Sequence, residues 1–219
     1  MSKTLLFTTS YCVSDQEWTE RVYKWYNYYT KSSLHYDKIL ILDDCSPVDP
    51  AWNECKIITD QFTSEPEASA FIFKFKNNLG RPAHLDYPGW FRSFSFAARY
   101  AYKFNYDKII HIESDAYLIS SSIIDWFNKT NSGWIPLWCS RHLFPETAIQ
   151  LIGRDQIVNF YKTTQLPYNT YFRGSTIEMC LPFTAVNQSF KGDRYSEYTD
   201  NIPADADYAC QVRHDYKFT

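Results

Sequence analysis

Four short apolar runs, at residues 4–9, 38–42, 70–75 and 108–112, each stop at a polar cluster or a turn signal, and this repetition restricts the architectures open to the chain. Runs of this length, rich in Ile, Leu, Phe and Thr, suit strands buried on both faces. Helical spacing fills the first and the third of the gaps between them. Trp18, Val22, Trp25 and Tyr29 recur on one face after the first run, with Ser14 or Asp15 as the N-cap. Phe91, Phe94, Ala98 and Ala101 do the same within residues 89–106, after Asn77-Asn78-Leu79-Gly80 has broken the third run. Strands alternating with helices predict an α/β fold, with a central, mostly parallel twisted sheet flanked by helices.

Beyond residue 115 the pattern loosens. Residues 121–127 read as a short helix, 134–138 as a further strand and 156–161 as part of another helix. From 167 to 219, Arg173, Glu178, Asp193, Arg194, Asp205, Asp207 and His214 are spaced among aromatics without a clear period. There is no internal repeat, low-complexity tract or linker, so 219 residues predict one domain spanning 1–219.

Charge and cysteine usage narrow the function. With 22 Lys and Arg against 25 Asp and Glu, a net charge of -3 and no basic run, nothing provides the electrostatic footprint of nucleic-acid binding. Aromatic residues make up 19% of the chain, enough to fill a core and still leave Trp90, Trp134, Trp138 or Tyr171 as faces for sugar rings. The 6 cysteines form no CxxC pair and read as free thiols of a reducing compartment. The first ten residues hold only three consecutive apolar positions, and no window suits a transmembrane span. A soluble, cytoplasmic protein is expected, with contact to a membrane surface through a partner or a basic face left open.

Polarity gathers where the predicted strands end: Thr8-Thr9-Ser10, Asp43-Asp44 and Glu113-Ser114-Asp115. In parallel sheets that edge is where ligands bind. Residues 113 and 115 share a face of a continuing strand. Two carboxylates so placed suit a hard divalent cation, which takes oxygen ligands from the protein and from substrate phosphates. They equally suit a capped turn before the next helix.

The ordered motifs FTTSY (7–11), ILDDCSP (41–47), NNLGR (77–81) and HIESDAYL (111–118) resemble the GT-A family of nucleotide-sugar-dependent glycosyltransferases over about the first 120 residues. The resemblance implies a single GT-A, Rossmann-like domain, with a nucleotide-sugar half at 1–120 and an acceptor half at 121–219. It implies a nucleoside diphosphate sugar donor carrying UDP or GDP, a glycan or other hydroxyl acceptor, and Mn²⁺ or Mg²⁺. Carried onto this chain, Thr8, Thr9 and Tyr11 lie along the nucleotide, Asp43 or Asp44 binds base or ribose, and Arg92 approaches the nucleotide or its diphosphate. Asp115 matches the metal-binding aspartate. Glu113 replaces the usual first aspartate, and either touches the metal or hydrogen-bonds to ribose.

Other acidic residues compete for roles. Asp205-Ala206-Asp207 is a literal DxD, but follows Pro203 rather than an apolar strand, and so reads as a rival metal pair, an acceptor contact or a turn. His214 can complete a metal shell through its imidazole or stand as a surface histidine near the chain end. An inverting transferase needs a carboxylate base, whereas a retaining one leans on the diphosphate leaving group and nearby carbonyls; for a base, Glu178 and Asp193 lead, with Glu146 as a further candidate. Glu178 can instead pair with Arg173 or Arg194. Two other functions fit parts of the pattern: sugar-phosphate nucleotidyl transfer, and a non-catalytic nucleotide-sugar or glycan-binding module. The first calls for a glycine-rich loop after the first strand, and TTSYCVSDQEW contains no glycine. Neither a GxSxG elbow nor a Cys-His signature marks a covalent hydrolase.

Overall fold

In the computed structural model, which describes residues 2–60, 62–83, 85–168, 176–198, 201–213 and 215–216, the apolar runs form β1 (Thr4–Ser10), β2 (Lys38–Asp43), β4 (Ala70–Lys74) and β5 (Lys108–Ile112), with β3 (Lys56–Ile58) entering before β4. Two residues follow as β6 (Tyr117–Leu118), then β7 (Trp134–Cys139) and β8 (Phe144–Gly153). The main sheet has the order β3-β4-β2-β1-β5-β8-β7. β1 to β5 run parallel, and β8 is antiparallel to both β5 and β7. β1 therefore has β2 on one side and β5 on the other, and the strand order reverses direction beside it. Such a switch point opens a crevice at the carboxyl ends of the strands.

The central strands are buried on both faces, which is why they read as unbroken apolar runs. Successive side chains alternate faces. Leu6, Ile39 and Ile41 meet Trp18, Val22, Trp25 and Tyr29 on one side, while Leu5, Phe7, Leu40 and Leu42 meet Phe94, Ala97 and Ala101 on the other. Helices cover both faces, as the strand and helix alternation predicts.

The first helical stretch is not uniform. α1 (Asp15–Glu17) is followed by a π-helical turn, Trp18–Tyr23, and then by α2 (Lys24–Lys31). Ser14 is the N-cap, its hydroxyl accepting from Glu17 N at 3.2 Å. α3 (Pro88–Lys103) starts with proline in its first turn and ends shorter than residues 89–106. Its C-terminus is closed by Asn105 at φ 54, with Tyr106 N donating to Ala101 O and Asn105 N to Tyr102 O. That pairing satisfies carbonyls the helix leaves unpaired and stops it. α4 (Ser121–Lys129) and α5 (Ile157–Thr164) follow, and then α6 (Ile177–Cys180). No helix among the described residues is long and apolar enough to cross a membrane.

β8, like the short β3, is a main-sheet strand that the sequence pattern does not announce. It carries Glu146, Thr147 and Gln150, all buried, and buried polar residues break an apolar run. A small sheet completes the fold, β9 (Gly192–Asp193) pairing with β10 (Tyr208–Ala209), which pairs in turn with β6. It brings the C-terminal segment against the turn at residues 113–116, with Val212 N donating to Asp115 O at 2.8 Å.

Candidate active site

The crevice beside β1 is a cavity of about 870 Å³. Thr9, Ser10 and Tyr11 reach it from the end of β1, Asp44 from the end of β2, and Glu113, Ser114 and Asp115 from the end of β5. The three polar strand ends thus converge on one space. The first turn of α3 adds Trp90, and β8 adds Glu146 and Thr147.

Asp44 organises its own surroundings. Its Oδ2 accepts from Asn78 Nδ2 at 2.8 Å, Leu79 N at 3.2 Å and Gly80 N at 2.8 Å, and its Oδ1 pairs with Arg92. The NNLG turn is therefore folded around one carboxylate. Gly89 makes room for it, because a Cβ there would stand 2.3 Å from Asp44 Oδ2. Arg92 is spent on Asp44 and on Asn77, and its guanidinium lies 4.0 Å from the Phe75 ring centroid. It does not line the cavity. Asp43 is fully buried and caps the following turn, taking both the Ser46 hydroxyl and Ser46 N. Thr8 is likewise buried away from the cavity, whereas Thr9 and Tyr11 face it.

Glu113 and Asp115 have different environments. Glu113 Oε2 accepts from Thr9 Oγ1 at 2.6 Å, and Oε1 accepts from Trp90 Nε1 and from His111 Nε2 at 3.0 Å. Behind His111 the pattern has only one direction. Trp134 Nε1, a donor only, reaches Gln150 Oε1 at 2.9 Å, and Gln150 Nε2 donates to the Thr147 carbonyl at 2.6 Å. The amide orientation is therefore fixed at both ends, so Gln150 Nε2 donates to His111 Nδ1 at 3.2 Å and the ring proton sits on Nε2, toward Glu113. Burial pushes the Glu113 carboxyl up, but the hydrogen bonds from His111, Thr9 and Trp90 hold it below the ordinary range.

Asp115 has no side-chain partner among the described residues, and it lines the cavity. Burial first, then the nearby Glu113 and Glu146 carboxylates, raise its pKa to about 6 against the opposing pull of Arg21. A carboxylate disfavoured by its neighbours, open to a cavity and without an ion-paired side chain among the described residues has the donor chemistry that a hard divalent cation requires. Six carboxylates but only three guanidinium groups line the cavity as a whole. An incoming diphosphate would meet a net negative field without an added cation. The residues present fit such an ion at Asp115, while Glu113 has both oxygens taken by protein donors.

On the opposite wall Arg194 binds Glu146 through Nε at 2.6 Å and Nη2 at 2.9 Å, and Glu178 through Nη2 at 3.0 Å. Glu146 is fully buried and doubly held, so it serves as an anchor. Glu178 lines the cavity with one oxygen on Arg194 and the other without a partner among the described residues. Asp193 stands outside the cavity, bracing Cys139 Sγ at 3.2 Å, Arg141 N at 3.0 Å and Arg194 N at 2.8 Å. The literal DxD is also elsewhere. Asp207 takes the hydroxyls of Ser120 and Ser122 and Lys191 N, tying the small sheet to the start of α4, and Asp205 pairs with Lys191. His214, Tyr171 and Arg173 lie outside the described residues. Trp134 is buried in the core, Trp138 is half-buried and off the cavity, and Trp90 is the tryptophan that reaches it. Among the described residues no cluster of three or more His, Cys, Asp or Glu forms a ready metal shell.

Arg21, Arg81 and Arg194 also line the cavity; Arg81 closes the NNLGR motif, whereas Arg21 carries no signal in the sequence pattern. Arg21 lies in an amphipathic helical stretch, where a lone arginine reads as a solvent-facing residue.

No known protein family matches the sequence, and no curated protein does. Among solved structures, the chain is similar to the crystal structure of a glycosyltransferase involved in the glycosylation of the major capsid of PBCV-1. The two share 9% identity at a TM-score of 0.53, over 96% of this chain and 94% of the other. The shared feature is the fold, an α/β sheet flanked by helices, across nearly the whole of both chains.

Proposed function

We propose that this chain is a metal-dependent glycosyltransferase of the GT-A type, moving a hexose from a nucleoside diphosphate sugar, with UDP or GDP as carrier, to a hydroxyl of a glycan or other acceptor. One observation carries the reading: the ends of β1, β2 and β5 deliver Thr9, Asp44, Glu113 and Asp115 into a single cavity at the sheet's switch point. Its likeness in fold to a glycosyltransferase supports the same reading.

In this reading Asp115 holds Mn²⁺ or Mg²⁺, which supplies positive charge to the departing diphosphate. Thr9 and Tyr11 line the nucleotide, and Glu113, fixed by three donors, offers its remaining acceptor capacity to ribose. Glu178 takes the acceptor's proton through its unpartnered oxygen. The acceptor oxygen forms a bond to the anomeric carbon, the bond from that carbon to the β-phosphate oxygen breaks, and its electron pair stays on the phosphate. Glu146 and Arg194 keep Glu178 in place. Calorimetric titration with UDP, GDP and dTDP sugars in Mn²⁺ or Mg²⁺ tests the proposal, and absence of binding by all of them would sink it. Release of pyrophosphate from a nucleoside triphosphate and a sugar phosphate would transfer the assignment to nucleotidyl transfer.

A further inference from the structure

Arg21 occupies an unusual place. It sits within the π-helical turn Trp18–Tyr23, between two α-helical segments. Wide turns of this kind recur at functional sites, because they re-aim a side chain that a regular helix would direct elsewhere. Its Nη2 donates to the Tyr11 carbonyl and, at 3.2 Å, to Cys12 Sγ, so the guanidinium is tethered to the loop that follows β1. Its Nε is buried and has no hydrogen-bond partner among the described residues, and the Arg21 side chain lines the cavity together with Tyr11 and Asp115. An unpaired buried donor costs stability unless a ligand completes it.

The local charge points the same way. Burial pushes the Cys12 thiol up to about 11, so at neutral pH it remains a thiol and does not neutralise the guanidinium. Arg92, the arginine that the resemblance carries toward the nucleotide or its diphosphate, is occupied by Asp44 and Asn77. Arg21 is left as the cation whose charge is felt at Asp115.

We propose that Arg21 is the chain's own diphosphate-binding cation, donating to the phosphate oxygens of the donor and to the oxygen that takes the electron pair when the sugar leaves. This rests on the glycosyltransferase reading above. Lysine is a poor substitute, because a planar guanidinium can hold two phosphate oxygens while remaining tethered to Tyr11.

The test is calorimetric, on the full chain with Mn²⁺ and again with EDTA, titrating UDP, GDP, uridine, guanosine and inorganic pyrophosphate. For whichever nucleotide the wild type binds, Arg21→Gln is expected to lose about 10- to 100-fold in diphosphate affinity, the loss of one charge-assisted hydrogen-bonding group, and to keep its nucleoside affinity within about twofold. Arg21→Lys is expected to fall between the two, and thermal melts of both variants report whether the Tyr11 loop has survived. Equal loss of nucleoside and diphosphate affinity would make Arg21 a structural tether and overturn the proposal, as would unchanged diphosphate affinity. If the wild type itself binds neither UDP nor GDP, the donor reading fails first.

Discussion

His111 donates its Nε2 proton to Glu113 Oε1 across 3.0 Å, and it does so because Gln150 has already taken its other nitrogen. A residue with no exposure in the core thus decides the posture of a carboxylate at the cavity. Nitrogen NMR of the imidazole should show a neutral ring protonated at Nε2. Gln150→Leu leaves the Trp134 indole N–H and His111 Nδ1 unpaired in the interior, and should cost about 2–4 kcal/mol in urea unfolding. A ring protonated at Nδ1 would show that the chain of donors runs otherwise.

Asp115 predicts a conflict between stability and function. Its folded pKa of about 6 lies above the ordinary carboxyl value, so the folded state binds more protons than the unfolded chain between about pH 4 and 6. This group's destabilisation is therefore absent below that window, grows as pH rises through it, and is complete above it. Asp115→Asn should stabilise the protein at pH 7 by about 1–3 kcal/mol and show a flatter stability profile between pH 4 and 6. The same substitution should abolish any Mn²⁺ dependence of nucleotide binding, which in the wild type should weaken as pH falls below about 6. Equal melting temperatures for the two proteins at pH 7 would contradict the first expectation.

Gly89 and Asp44 form one packing unit. Gly89→Ala drives a methyl group into the carboxylate that folds the NNLG turn, and should cost about 2 kcal/mol or more. Asp44→Ala should be costly as well, since it strands Arg92 and two backbone N–H groups. The double variant should be clearly less destabilised than the sum, by about 1 kcal/mol or more, because the methyl no longer meets an obstacle. Strict additivity in chemical denaturation would argue against a direct clash.

The literal DxD offers a control. Asp207→Ala should lose about 1–3 kcal/mol by releasing Ser120, Ser122 and the Lys191 amide, and Asp205→Ala, which removes an exposed ion pair, should leave the melting temperature essentially unchanged. Neither should alter metal-dependent nucleotide binding. If either removed it, Asp115 would lose its assignment as the metal ligand.

What was legible in the sequence follows from burial. β1, β2, β4 and β5 lie inside the sheet with apolar neighbours on both faces, so their identities and their polar ends stand out. β8 is equally buried, but Glu146 and Gln150 are satisfied by Arg194, Trp134 and Thr147, partners distant in the chain or invisible to a local pattern. Asp43, Asp44 and Arg92 were recognisable as special residues, yet their chemistry is turned largely on one another and on the turns at 43–46 and 77–80. Arg21 was hidden because a π-helical turn has no sequence period of its own.

The pairing of β8 with β5 also bears on how the protein comes to exist. Glu113 N is bonded to Ala148 O, and the register from Ile112 with Ile149 to Lys108 with Gly153 continues that seam. The acidic floor at the end of β5 thus gains its second wall from residues more than thirty positions later in the chain. During synthesis a nascent chain that has emerged only through β5 has the strands whose ends line the cavity but an open sheet edge where β8 will dock, an edge prone to mispairing until the later strand arrives. Assembly of the cavity is consequently a late and non-local folding event, and slow closure of this seam is where chaperone dependence is expected to concentrate.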